Sequence, residues 1–301
     1  MTVGNGMVAG EAGGPAVLRL ITPVAPEGKE QRVTRHEVIG GDRETAAERA
    51  PRGARRLRGL ALDIDGTLTE GDYYPLILRA LGMRDEAIAV FFRNLRGSEP
   101  PEMDYHRVRA DLMRSWPDRE RATRELMEGI FRYVPFRPEA SRLVGHARAL
   151  GWPICLITAS MDVYARAIAR RLGIGDWYSG CSARFDADGR LADIVFEPDP
   201  GQAKCRHLSA FCRRRGLTPG EVLVVGDSEH DLGLFAGTDN GVLVRRPGNE
   251  PLATYAWRTV DHLDEVIPLL PGGPGGPGSP DIPDSPGVPG LPDVPDPATG
   301  Q

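Results

Sequence analysis

Short apolar runs of the buried-strand kind recur between residues 58 and 270, each leading through polar or glycine-containing residues into a helical stretch. The three clearest are Leu60-Ala61-Leu62-Asp63-Ile64, Pro153-Ile154-Cys155-Leu156-Ile157 and Glu221-Val222-Leu223-Val224-Val225. Ahead of the second run, Ala140, Leu143, Val144, Ala147 and Leu150 follow the i, i+3, i+4, i+7 spacing of a helix face, and Gly151 supplies a stop. Behind it, Ser160 is placed to cap a helix that carries Tyr164, Ile168 and Leu172 on one face and closes at Gly173. Strands that alternate with helices predict a parallel α/β sheet covered on both faces, with ligands at the carboxyl ends of its strands.

Two stretches break the alternation. Residues 72–135 read as wholly helical, with apolar clusters at Leu76-Ile77-Leu78, Val90-Phe91-Phe92 and Leu126 with Ile130-Phe131, so a helical insertion is expected after the first strand. Residues Ala183–Val195 alternate around Asp188-Gly189, the signature of a hairpin. The ends differ from this body. Residues 1–57 mix Gly, Ala, Pro and charges without a sustained period and read as a flexible leader, ending in the basic cluster Arg49, Arg52, Arg55, Arg56 and Arg58. Residues 271–301 form a Pro/Gly-rich tail with proline at every third position from Pro271 to Pro295, the repeat of polyproline II. A stiff, disordered tail is expected, with a polyproline-binding partner as the alternative use.

Charge narrows the partners. The chain carries 37 basic and 42 acidic side chains, hence a formal charge of −5. Asp281, Asp284, Asp293 and Asp296 account for most of that excess, so the body is close to neutral and nucleic acid is not an expected partner. No apolar stretch is long enough to span a membrane, and the N-terminus lacks the basic-then-apolar order of a secretory signal. Cys155, Cys181, Cys205 and Cys212 form no CxxC pair and have no histidine at zinc spacing, which fits a reduced, cytoplasmic protein.

The chemistry gathers at the strand ends. Asp63-Ile64-Asp65-Gly66-Thr67 leaves the first strand with two carboxylates at i and i+2, which offer a nucleophile with a proton carrier or a hard oxygen site for a cation. Thr158-Ala159-Ser160 ends the second with hydroxyls and amides that suit a phosphate, although a plain helix cap accounts for Ser160 equally well. Gly226-Asp227-Ser228-Glu229-His230-Asp231 ends the third. Its Asp227 and Asp231 can hold a magnesium ion or simply favour a helix dipole, and His230 reads as a structural residue. Lysine usage adds a sharper clue. Of 37 basic residues only Lys29 and Lys204 are lysines, so Lys204 marks a place where a compact ammonium is wanted, such as a phosphate contact.

In their order and spacing, Asp63/Asp65, Thr158, Lys204 and Asp227/Asp231 resemble the four motifs of the haloacid-dehalogenase-like phosphatase superfamily, in its phosphoserine-phosphatase-like branch. The resemblance covers residues 58–270 and implies a Rossmann-like core with a helical cap inserted after the first core strand. It further implies that Asp63 attacks phosphorus and that Asp65 serves as acid and then base. Thr158, Ala159 and Lys204 would bind the phosphoryl group. Mg2+ would be held by Asp63, the Asp65 carbonyl and Asp227, with Asp231 supporting the site. Asp72 stands about where that branch places a glutamate for the substrate amine, and the cap arginine is sought among Arg79, Arg84, Arg93 and Arg96. The second motif departs from the serine and two glycines of phosphoserine-specific enzymes, and His230 replaces an asparagine. The expected activity is therefore a magnesium-dependent phosphomonoesterase that hydrolyses a small phosphate ester through an aspartyl phosphate, with a phosphoserine-like substrate as one option. Alternatives are a phosphotransferase or phosphomutase on the same fold, and an interaction protein acting through the proline-rich tail.

Overall fold

The computed structural model describes residues 57–71, 73–97, 105–116 and 121–270. The leader up to residue 56, the tail 271–301 and Asp72 lie outside the described residues. Among them a seven-stranded sheet runs in the order β4-β3-β2-β1-β5-β6-β7. The strands are β1 Gly59–Leu62, β2 Ile154–Met161, β3 Asp176–Phe185, β4 Leu191–Phe196, β5 Val222–Gly226, β6 Gly241–Val244 and β7 Arg258–Val260. Neighbours pair in parallel except β3 with β4, which are antiparallel. The sheet is therefore the expected α/β type.

Strand β1 is buried along its whole length because it lies between β2 and β5. From β1 the chain builds one side of the sheet first and the other afterwards, so the connections diverge at β1. In open α/β sheets that point of divergence is where ligands bind, beyond the strands' carboxyl ends. The period of two divides the core. Leu60, Leu62, Leu223 and Val225 join one apolar cluster, while Ala61, Val222 and Val224 join another on the opposite face.

Between β1 and β2 come α1 Tyr74–Ala80, α2 Asp85–Gly97, α3 Tyr105–Ser115, α4 Arg124–Phe131 and α5 Ala140–Ala149. Leu78, Phe91, Ile130 and Phe131 are buried there, as their apolar clusters predict, but Val90 and Leu126 are exposed. Each cluster runs around more than one face of its helix, so part of it must meet solvent. Helix α5 buries Ala140, Leu143, Val144 and Ala147, and the chain turns at Gly151 with φ +72°.

The β3–β4 hairpin forms as Asp188-Gly189 predicts, and its turn is tied to the helical segment. Arg124 N donates to Gly189 O at 2.9 Å, and Leu191 N donates to Ala122 O at 2.9 Å. Arg109 on α3 makes a two-pronged ion pair with Asp193 on β4, with Nε 2.6 Å from Oδ1.

The cap assigned to Ser160 does not form. Strand β2 continues through Ser160 to Met161, and α6 Asp162–Leu172 follows with Met161 as its flanking residue and no side-chain cap. The reason lies in the sheet. β2 pairs with β3 through Thr158 and again at Met161, with a bulge between, so Ala159-Ser160 stays extended. Helix α6 ends at Gly173, φ +64°, as expected. After β4, α7 Pro200–Arg215 is opened by Asp199, whose side chain accepts from Gln202 N at 2.8 Å, and after β5 comes α8 Leu232–Thr238.

Candidate active site

The ends of β1, β5 and β6 and the first turns of α7 bring together residues from four distant parts of the chain. Asp63 directly follows β1 and is held to the neighbouring strand by its N–H, which donates to Val225 O at 3.0 Å. The backbone then folds tightly around the Ile64 carbonyl, which accepts from Leu68 N at 2.9 Å and Thr69 N at 3.1 Å. Gly66 is required in that loop. Its φ is +78°, and a Cβ there would lie 2.4 Å from Asp227 Oδ2 and 2.4 Å from an Arg246 nitrogen.

Lys204, two per cent exposed, reaches in from the first turns of α7. Its Nζ donates to Asp63 Oδ1 at 2.7 Å and to Asp231 Oδ1 at 2.7 Å. Asp231 is fully engaged, because its other oxygen accepts from Asp227 N at 3.1 Å, Ser228 N at 3.1 Å and Ser228 Oγ at 3.0 Å. Thr67 Oγ1 donates to Asp227 Oδ1 at 3.0 Å and lies 3.4 Å from Asp63 Oδ2. Arg246 Nε stands 2.6 Å from Asp227 Oδ2, but its N–H is not aimed along that line, so the contact is an ion pair without a hydrogen bond. Asn249 donates to Asp227 O at 2.7 Å and Val244 O at 3.0 Å, tying the loop after β6 to the site.

Burial sets the electrostatics. It pushes the Asp63 carboxyl upward, with Lys204 opposing and Asp231 adding to the shift. Asp227 is pushed well above the usual carboxylate range, first by burial and then by Asp63, against the pull of Arg246. Asp231 goes the other way. Burial would raise it, but the Lys204 charge and the hydrogen bonds from Lys204 and Ser228 outweigh burial and hold it low. Lys204 is likewise raised, because Asp231 and Asp63 overcome the desolvation that would lower it. Lys204 and Asp231 thus stay charged together, while Asp63 and Asp227 form a pair that calls for additional positive charge.

The remaining sequence candidates make contacts of their own. Thr158 is buried at the end of β2, and its Oγ1 accepts from Ser160 N at 3.0 Å. Ser160 Oγ is buried and has no hydrogen-bond partner among the described residues. Ala159 is packed against Gly180, where a Cβ would lie 2.6 Å from Ala159 O. Asp65 Oδ1 accepts from Tyr164 Oη at 3.1 Å and from Tyr73 N at 3.4 Å. His230 is half-buried in the turn Glu229–Asp231. Of the arginines considered for the cap, Arg79 pairs at the surface with Asp85 at 2.6 Å. Sequence reasoning did not single out Gly66, Thr67, Arg246 or Asn249 as contributors. Gly66 and Thr67 lie inside the quoted Asp63–Thr67 motif, whereas Arg246 and Asn249 follow β6, a strand that sequence reasoning did not pick out.

A parallel sheet with a carboxylate cluster and a buried lysine at its point of divergence defines a class of phosphate-handling α/β enzymes. A family profile described as haloacid dehalogenase-like hydrolase matches residues 60–236, and the chain belongs to that family. Its relatives narrow the class. A phosphoserine phosphatase of Halobacterium salinarum is 30% identical over 211 residues, which cover 69% of this chain and 96% of that protein. Another, from Streptomyces coelicolor, is 25% identical over 241 residues, covering 79% of this chain and 55% of the relative. Among solved structures, a phospho-aspartyl intermediate analogue of phosphoserine phosphatase superposes with a TM-score of 0.55 at 16% identity, covering 70% of this chain and 98% of that one. A phosphoserine phosphohydrolase-like protein from Francisella tularensis gives a TM-score of 0.54 at 17% identity, covering 71% and 100%. The protein is a phosphatase of the phosphoserine-phosphatase-like kind.

Proposed function

We propose that the protein is a magnesium-dependent phosphomonoesterase that hydrolyses a small phosphate ester, with phosphoserine as the leading substrate, through an aspartyl phosphate on Asp63. The observation that carries this reading is the buried bridge of Lys204 between Asp63 and Asp231. It fixes one oxygen of Asp63 and leaves a third ammonium donor of Lys204 for a phosphoryl oxygen.

The residues fit a hard cation. Asp63, Asp227 and Asp231 each place a carboxylate oxygen within 4.8 Å of the others. Asp231 is already saturated with donors, whereas Asp227 Oδ2 is buried without an aligned hydrogen bond. Asp63 and Asp227 are therefore the proposed ligands with Asp231 as their support, and the resemblance to the family adds the Asp65 carbonyl. Bound there, Mg2+ supplies positive charge against the phosphoryl oxygens and the two raised carboxylates.

Asp63 attacks phosphorus while Asp65 protonates the departing ester oxygen. Asp65, now a carboxylate, takes a proton from the water that attacks the acyl phosphate, releasing phosphate and restoring Asp63. Thr158 Oγ1, the backbone around Ala159 and Lys204 Nζ hold the phosphoryl oxygens as charge redistributes. Residues 72–135 are the proposed cap over the leaving group. Asp72 remains the proposed contact to a substrate amine. All four cysteines are free thiols, which supports a reducing, cytoplasmic setting. No helix among the described residues is long and apolar enough to cross a membrane.

The test is a panel of phosphate esters assayed with and without Mg2+, followed by mass spectrometry of protein quenched during turnover. Magnesium-dependent release of phosphate with a transient adduct on Asp63 is expected. A phosphate adduct on Ser160 or on a histidine would overturn the mechanism.

A further inference from the structure

Tyr164 is the third residue of α6, and none of it is exposed. Its ring packs against Phe131 of α4, with centroids 5.1 Å apart, so it is gripped between the core and the helical segment. A tyrosine buried this deeply needs a partner for its hydroxyl. That partner is Asp65, whose Oδ1 receives the hydroxyl at 3.1 Å and, more loosely, the Tyr73 backbone N–H at 3.4 Å. Two donors from different elements converge on one carboxyl oxygen and so fix the rotation of the carboxyl group.

We infer that Tyr164 is a positioning residue that orients Asp65 for proton transfer to the leaving oxygen. The inference rests on the reading of Asp65 as the acid–base group. Asp65 lies in the loop immediately before Gly66, a glycine at positive φ, and donors from outside that loop constrain the plane of its carboxyl. Tyr164 supplies that constraint from a rigid helix. The ring is fixed on one side by Phe131, and the helix by its attachment to β2, the strand that carries Thr158. Phosphoryl binding at Thr158 and proton delivery at Asp65 are therefore referred to the same strand–helix unit. The role inferred for Tyr164 is exerted through Asp65, to which its hydroxyl donates.

The experiment compares wild type, Tyr164→Phe and Asp65→Asn on phosphoserine and on p-nitrophenyl phosphate at saturating Mg2+. An alkoxide leaving group needs a well-placed proton, whereas nitrophenolate leaves with little help. Tyr164→Phe is expected to lower the first-turnover rate of leaving-group release from phosphoserine about tenfold, as fits an acid displaced by a fraction of 1 Å, with substrate affinity nearly unchanged. On p-nitrophenyl phosphate the loss should stay under about threefold. Phe131→Leu, which loosens the ring without removing the hydroxyl, should show the same discrimination at smaller size. Equal losses on both esters, or none, in a folded Tyr164→Phe protein would overturn the inference, and so would a uniform loss in Phe131→Leu. Asp65→Asn separates the two failures. Read in the first-turnover release of the leaving group, which precedes hydrolysis of the aspartyl phosphate, discrimination by Asp65→Asn without discrimination by Tyr164→Phe removes only the role of Tyr164, and equal loss on both esters removes the acid reading of Asp65.

Discussion

Replacing Lys204 with methionine keeps the length and apolar stem of the side chain but removes the ammonium between Asp63 and Asp231. Both carboxyls are buried, at 6% and 0% exposure, and each lies 2.7 Å from Nζ. Removing one partner of a buried ionic group costs about 3–5 kcal/mol, because the charge left behind stays out of water. For a body of this size that corresponds to a melting temperature lower by roughly 6–20 °C. Asp231 should suffer more than Asp63. It is the acid held low by Lys204, and the three donors from Asp227 and Ser228 cannot replace a full charge. Added Mg2+ should recover part of the loss by supplying a cation to Asp63. Lys204→Arg retains the charge but brings a planar fork into a space that fits a single nitrogen. A displacement of about 1 Å at Asp63 costs roughly a hundredfold in rate, so kcat/KM should fall by about that factor in a folded protein. Calorimetry with and without Mg2+, together with steady-state kinetics, reads both effects. A Lys204→Met melting temperature within about 2 °C of wild type would show that the bridge contributes little, against the buried-pair estimate. Near-normal turnover by Lys204→Arg would remove Lys204 from the phosphoryl site.

Asp63→Asn should abolish turnover while preserving the circular dichroism spectrum, since the amide keeps the shape and lacks nucleophilicity; efficient turnover by a folded Asp63→Asn protein would contradict the mechanism. Arg246→Met should bind Mg2+ about two- to fivefold more tightly by titration calorimetry, because Arg246 is partly exposed and its competition for Asp227 is solvent-screened. Weaker Mg2+ binding would mean that Arg246 supports the metal site rather than competing with it. Asp63 and Asp227 have raised folded-state pKa values, so their contribution to stability is fully present below the unfolded carboxylate range and is lost as pH rises through the raised values. The melting temperature in saturating Mg2+ minus that in EDTA should therefore widen as pH rises from the carboxylate range toward neutrality, and a difference that stays flat would refute the assignment of these two ligands.

The elements legible in the sequence are those whose residues are buried on both sides or along one full face. β1, β2 and β5 are continuous apolar runs because each lies between two strands, and α5 and α6 show their buried faces at helical spacing. β7 has three residues, too few to display a period, and Arg258 opens it in solvent, whereas β6, four buried residues like β1, is the apolar run Gly241-Val242-Leu243-Val244 that sequence reasoning passed over. Missing β6 also hid Arg246 and Asn249, which matter only because that strand delivers them to Asp227. Ser160 was misplaced for a different reason. Serine before a helix is an ordinary cap signal, but pairing with β3 on both sides of a bulge keeps the backbone extended there. Tyr164 was assigned to the correct helix face, yet its hydroxyl meets a residue 99 positions away, which no local pattern encodes. The lone body lysine was informative because its chemistry differs from that of the surrounding arginines, and the structure puts it between two buried acids.

Strand β3 belongs to two assemblies at once. Its first half lies beside β2 up to Thr158, and its second half carries the hairpin whose turn is bonded to Ala122 and Arg124. A rocking motion of the helical segment would therefore pull on the same ribbon that braces Thr158 and the bulge after it. The ribbon is a tie rod in the literal sense: the segment that would cap the proposed site and the backbone proposed to bind phosphate hang from one strand.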